Sequence, residues 1–229
     1  MKNIAEISKR FEVKILKRRK YYDIIFNIYY DLERILKRAV YCLYPICTNC
    51  YLISDGGECA VIDPASSAEL LRDEIERTGA KLKYILLTHG HFDHIGGADG
   101  LKACFPEARI MISADDAAML SDPRMNASAL FGGESVFCLS DYETVADGDI
   151  LMLGNEKISV MATPGHTKGS LCYICSDAVY TGDTLFDDGY GRTDLPNAAP
   201  EKIEASVSRI KRMYGGKAAF PGHGESFII

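Results

Sequence analysis

A chain of 229 residues, 47% apolar and 25% charged, can form one large or two small globular domains with a substantial core. It has no run of roughly 20 apolar residues for a membrane-spanning helix and no secretory apolar segment behind its charged N-terminus, so a cytoplasmic location is expected, with its eight cysteines reduced and no structural disulfide. Residues 1–40 hold 11 basic and 5 acidic side chains (net +6), leaving 15 and 27 (net −12) for the rest, an acidic body that offers nucleic acid no electrostatic footprint.

The first 40 residues contain neither Gly nor Pro. Ile4, Ile7, Phe11 and Ile15, then Tyr22, Ile25, Tyr29, Leu32 and Leu36, recur at helical spacing around the basic run Lys17, Arg18, Arg19, Lys20. Residues 1–38 are therefore predicted to be a basic amphipathic helical extension. Packing on its own domain, or translation from upstream of the true start, accounts for such a segment more simply than contact with a membrane surface does.

Residues 39–229 read as a mixed domain. Strands are predicted over 40–44, 51–54 and 59–63, with Asp55-Gly56-Gly57 as the turn between the second and third. Ser66 and Glu69 form a capping-box pattern for a helix that Gly79 closes. The apolar run 82–87 suits a strand covered on both faces. A short helix from about 97, a strand over 109–112, a helix opened by Ser113 and a loop over 121–136 follow. Strands resume at 150–153, 157–163, 171–175 and 178–181, then a helix from Asn197 and Pro200 to about 214, and a last strand at 218–220. Strands and helices alternating across short connections make an α/β layered domain.

All five histidines, His89, His91, His94, His166 and His223, fall in turns directly after predicted strands. In Thr88-His89-Gly90-His91-Phe92-Asp93-His94, four potential ligands lie within six residues, and the glycine and two-residue alternation argue against a helical histidine pair there. Imidazole and carboxylate without thiolate suit zinc, iron or manganese. His166, Asp183 and His223 each follow a strand with glycine beside them, which lets the chain turn sharply and present the side chain.

His89-x-His91-x-Asp93-His94 followed by His166, Asp183 and His223 resembles the full ligand set of the metallo-β-lactamase superfamily, over about residues 39–226. The resemblance implies an αββα sandwich and two divalent metal ions, zinc first with iron or manganese as alternatives. It assigns His89, His91 and His166 to one ion, Asp93, His94 and His223 to the other, and makes Asp183 the bridge. Asp63 matches a position behind the metals. Thr48-Asn49-Cys50-Tyr51, the segment 163–167 and Gly191-Arg192-Thr193-Asp194 are similar to the glyoxalase II-like (hydroxyacylglutathione hydrolase-like) group of small single-domain hydrolases. A superfamily β-lactamase of the best-known class has cysteine where Asp183 stands, so β-lactam hydrolysis is not expected.

The implied activity is hydrolysis of a small-molecule acyl-thioester by a hydroxide shared between the metals, since paired cations lower the pKa of water from about 15.7 to about 7. Asp93 is the residue expected to orient that hydroxide. A persulfide dioxygenase, with one iron on positions matching His89, His166 and Asp183, or another ester or lactone hydrolase, is the alternative. Arg192, Lys168 and Tyr190 are candidates for the substrate mouth, Arg192 and Asp194 being equally suited to a local ion pair. Cys172 and Cys175 lie three apart in a predicted strand and point to opposite faces, so they cannot ligate together. Cys47 and Cys50 lack the βαβ setting of a redox pair.

Overall fold

A computed structural model describes residues 13–17, 22–29, 36–43, 45–131 and 135–229. Eight strands form one sheet in sequence order: β1 (Val13–Lys17), β2 (Tyr22–Tyr29), β3 (Lys37–Leu43), β4 (Thr48–Asp55), β5 (Glu58–Ile62), β6 (Lys81–Leu86), β7 (Arg109–Ser113) and β8 (Tyr142–Val145). Pairing is antiparallel from β1 to β5 and parallel from β5 to β8. The second sheet runs β14-β13-β12-β11-β10-β9, built from β9 (Ile150–Leu153), β10 (Glu156–Ala162), β11 (Leu171–Ile174), β12 (Ala178–Gly182), β13 (Ala218–Pro221) and β14 (Phe227–Ile228). Only its β12–β13 pair is parallel.

The two-residue period of the strands sorts their side chains into three cores. Tyr51 and Ile53 of β4 and Leu86 of β6 meet Leu153, Ile158 and Tyr173 of the second sheet in the central layer. Cys50 and Leu52 of β4 face the other way, onto Leu71 and Ile75 of α1 (Ala68–Thr78) and Leu101 of α3 (Ala98–Cys104). Cys172 and Ile174 of β11 pack with Ile210 of α4 (Ile203–Tyr214). Helices thus cover both outer faces, giving the expected αββα layering. Cys172 lies in the outer layer and Cys175 in the central one, on opposite faces as the spacing requires.

Several local expectations need correction. The helical extension is not confirmed: within residues 1–38, the described stretches 13–17 and 22–29 are strands that extend the sheet edge beyond β3, Lys37 and Arg38 begin β3 itself, and residues 1–12, 18–21 and 30–35, including most of the basic run, lie outside the described residues. Isoleucine, tyrosine and phenylalanine crowd 22–29, and such residues fit a strand when an open sheet edge is at hand. The capping box does not form, because Ser67, not Ser66, precedes α1, in a left-handed conformation without a side-chain cap. The chain at 64–66 is pressed instead against Gly96 and Gly97, just ahead of α3, where added Cβ atoms would collide with the Ala65 and Pro64 carbonyls. Ser113 opens a turn and one short 3-10 helix, Ala117–Leu120, not an α-helix. The short edge strands β8 and β14 carry too few apolar residues for periodicity to find them.

The expectation of reduced cysteines fails at one place. Cys42 and Cys47 form a disulfide, with Cα atoms 4.9 Å apart across the β3–β4 turn. Composition gives no warning of it, since only the antiparallel pairing folds Cys47 back toward Cys42. Among the described residues, no helix is long and apolar enough to cross a membrane.

Leu86 is wholly buried between the sheets. Leu86→Ala is expected to lower unfolding stability by about 2–5 kcal/mol, read as a shift in denaturant midpoint.

Candidate metal centre

The candidate ligands gather beyond the C-terminal ends of strands. His89 follows β6, His166 follows β10, Asp183 follows β12 and His223 follows β13, while Asp93 and His94 lie in the single turn of α2 (Phe92–Ile95), which begins just after His91. The α/β rule that sites form beyond carboxyl ends of strands is met here by strands of two sheets at once. Bonds between the sheets hold those ends together: Tyr173 Oη donates to the Leu87 carbonyl (2.9 Å) and Leu171 N–H to the Thr88 carbonyl (2.8 Å). On the other side, Asn49 N–H donates to the Gly222 carbonyl (2.7 Å) and Tyr51 Oη to the Pro221 carbonyl (2.6 Å), fixing the turn before His223. Gly222 has room for no side chain, because a Cβ would collide with Asp183 Oδ1 and lie 2.8 Å from His94 Cε1.

The seven predicted ligand residues converge. Three overlapping groups, His89–His91–His166, His89–His94–Asp183 and Asp93–His94–His223, each offer ligand atoms within 4.8 Å of one another. His91 Nδ1 lies 2.9 Å from His166 Nε2. Asp93 Oδ2 is 3.2 Å from His94 Nε2 and 3.3 Å from His223 Nε2, and Asp183 lies within 3.6 Å of His94, His166 and His223. His89 Nε2, His91 Nε2, His94 Nε2 and Asp183 Oδ1 are buried with no hydrogen-bond partner. Buried polar atoms are ordinarily paired, so this concentration of unpartnered lone pairs fits a bound cation.

The outer nitrogens are fixed by the chain. Asp63 Oδ1 accepts the Thr88 N–H (2.8 Å) and its Oδ2 accepts Thr88 Oγ1–H (2.7 Å) and His94 Nδ1–H (2.9 Å). Thr88 Oγ1 is then free to accept His89 Nδ1–H at 3.1 Å. One buried carboxylate thereby turns the Nε2 lone pairs of His89 and His94 inward. The Arg192 carbonyl does the same for His166, accepting Nδ1–H at 2.7 Å. Thr48 Oγ1 donates to Asp93 Oδ2 at 2.7 Å. Neither Thr48 nor the Arg192 carbonyl is singled out as a ligand support by the sequence, since a hydroxyl and a main-chain oxygen carry no spacing signal.

The remaining candidates lie at the surface near the ligand turns. The Arg192 side chain pairs with Asp194 on the exposed surface (2.6 and 2.8 Å). Lys168 and Tyr190 are exposed on the turns that carry His166 and adjoin Asp183.

Electrostatics divide the site. Burial, reinforced by neighbouring imidazoles, pushes His89 well below the ordinary histidine pKa, and burial with His166 alongside pushes His91 down to about 3. Burial also opposes charge on His94 and His223, but there the carboxylates prevail: Asp93, Asp183 and Asp63 raise His94 well above its ordinary value, and Asp93 and Asp183 raise His223. Burial works against the Asp93 carboxylate as well, and His94 and His223 outweigh it, holding the group well below the usual range.

A family model described as the metallo-beta-lactamase superfamily matches residues 44–223. A hydroxyacylglutathione hydrolase of Acidiphilium cryptum (strain JF-5) is 36% identical over 174 residues, 76% of this chain but only 63% of that relative, so the chain spans less than two thirds of its length. Among solved structures, BLEG-1, a B3 metallo-beta-lactamase, superposes with a TM-score of 0.78 at 30% identity, covering 85% of this chain and 94% of the other. TTHA1623 in a di-iron-bound form superposes with a TM-score of 0.73 at 27% identity, covering 86% and 94%.

Metal uptake requires neutral imidazole. Burial disfavours protonation of His89 and His91, whereas the carboxylates around His94 and His223 favour it, so an incoming cation competes with protons on that side. Loading the metal-free protein is expected to release protons, and affinity on the Asp93–His94–His223 side should begin to fall, as pH is lowered, above the ordinary histidine value of about 6.5. Titration with a divalent metal at a series of pH values, with proton release followed by indicator, checks this.

Proposed function

The chain is a member of the metallo-beta-lactamase superfamily of metal-dependent hydrolases, and from that premise we propose that it is a dinuclear hydrolase cleaving small acyl-thioesters. The observation that supports a two-metal centre is the completeness of both donor groups, one of three imidazoles and one of a carboxylate and two imidazoles. In this reading His89, His91 and His166 hold one divalent cation, Asp93, His94 and His223 the other, and Asp183 lies between them. The nitrogen and oxygen donors suit zinc, with iron and manganese next. Bound there, the cations supply a Lewis acid for the carbonyl and bring the pKa of water from about 15.7 to about 7.

The chain's own residues orient and constrain. Asp93, braced by Thr48 and flanked by His94 and His223, presents a carboxylate that orients the attacking water. Asp63 and the Arg192 carbonyl keep His89, His94 and His166 in the tautomers that face inward, so the site is organised before substrate arrives. A thioester is a favourable target because its thiolate leaves readily. Sequence likeness to a hydroxyacylglutathione hydrolase supports that choice of substrate, whereas likeness to the BLEG-1 structure makes a β-lactam the competing substrate.

A persulfide dioxygenase with one iron uses only three of these positions, and the assembled Asp93–His94–His223 group favours the two-metal reading. Metal analysis should give two ions per chain. A panel of acyl-thioesters, a β-lactam and a persulfide should show thioester turnover without O₂ uptake. Loss of a ligand removes several kcal/mol of transition-state stabilisation, so His91→Ala and Asp183→Asn are each expected to lower kcat/KM by about three decades. Full activity in rigorously metal-free protein, or one iron per chain with O₂ consumed on a persulfide, overturns the reading.

A further inference from the structure

Asp116 lies in the turn after β7, is wholly buried, and belongs to none of the three ligand groups. Its carboxylate accepts four hydrogen bonds from three other segments of chain. Oδ2 accepts the Gly90 N–H at 3.1 Å and Thr167 Oγ1–H at 2.6 Å, and Oδ1 accepts the Gly169 N–H at 2.9 Å and Asn197 Nδ2–H at 2.7 Å. Gly90 stands between His89 and His91, and Thr167 follows His166. A single oxygen therefore ties the turn after β6, in one sheet, to the turn after β10, in the other. The approach is tight: a Cβ on Gly169 would lie 2.6 Å from Asp116 Cγ and 2.7 Å from its backbone nitrogen.

None of these four donors is cationic. A buried carboxylate held only by neutral donors is a costly way to fill space, because apolar side chains of similar volume are often as stable or more so. Its two oxygens do what an apolar group cannot, which is to bond several backbone segments at fixed distances. The geometry points to Asp116 as a positioning residue for the His89–His91–His166 group, setting the separation of the two turns and with it the 2.9 Å spacing of His91 Nδ1 and His166 Nε2. This assignment rests on the metal-centre reading, and it differs from the role of Asp63, which bonds the His94 ring directly and the His89 ring through Thr88, whereas Asp116 touches no imidazole and joins turns of the two sheets.

Cobalt(II) serves as the probe, because its visible absorption reports ligand geometry without any substrate. Metal-free wild type, Asp116→Asn and Thr167→Val are titrated with Co²⁺ while melting temperature is recorded. Thr167→Val removes one donor at nearly unchanged shape, and carries the comparison alone if Asp116→Asn does not fold. Both variants are expected to bind one of two Co²⁺ ions about 10–100-fold more weakly, the usual effect of losing an outer partner of a ligand, with altered bands for that ion and none for the other. Lower melting temperatures with both affinities and the spectrum as in wild type mean a merely structural role and overturn the assignment. Wild type that takes up no Co²⁺ overturns it together with the metal-centre reading. Thioester turnover is read separately: its absence while the cobalt result holds overturns the proposed substrate and leaves the role of Asp116 supported.

Discussion

Four histidines and four aspartates are buried together at one edge of this sandwich: His89, His91, His94 and His166 with Asp63, Asp93, Asp116 and Asp183. Withdrawing that many ionisable groups from water is unfavourable unless each finds a partner, so everything around them is arranged to supply partners or to leave a lone pair for a cation. Protons satisfy only part of the demand, since the carboxylates favour them on His94 and His223 while burial disfavours them on His89 and His91. A cation satisfies both halves, because neutral imidazoles and ionised carboxylates are the states that bind it.

The fold meets this demand in two tiers. Strand ends from both sheets deliver the seven inner side chains, and the sheets are locked at that edge by Tyr173 on Leu87 and by Asn49 and Tyr51 on the turn before His223. Behind them, Asp63, the Arg192 carbonyl and Thr48 orient individual ligand groups, while Asp116 ties turns to one another. The apolar layers on either side of each sheet make the strand ends a rigid frame, since interiors packed at crystal-like density yield little.

Much of this was legible in one dimension where a single residue type carries the signal. The five histidines and the spacing from His89 to His94 mark the site before any fold is known, and the apolar run ending at Leu87 marks the strand beneath it. Local pattern misleads where it competes with tertiary contact. Ser66 and Glu69 spell a capping box, yet the chain at 64–66 is bent by its packing against Gly96 and Gly97. Helical spacing in the N-terminal segment coexists with strong strand propensity at 22–29, and the open edge of β3 decides between them. Asp116 carries no signal in the sequence, because Ser113-Ala114-Asp115-Asp116 looks like any helix start and its partners lie at Gly90, Thr167, Gly169 and Asn197.

The amino-acid sequence by itself determined the donor chemistry: imidazoles and carboxylates without thiolate, set in glycine-flanked turns after apolar strands, which restricts the bound species to a hard or borderline cation. Tertiary structure alone decided which groups face each other, which ring nitrogen points inward, that Arg192 lends a carbonyl in place of its charge, and that Cys47 pairs with Cys42. The physical reason is range. Propensity and periodicity act over a few residues, whereas the bonds that orient the site join positions 25 to more than 50 residues apart, which only the packing of two sheets brings within 3 Å, and even the short Cys42–Cys47 span depends on how β3 and β4 pair.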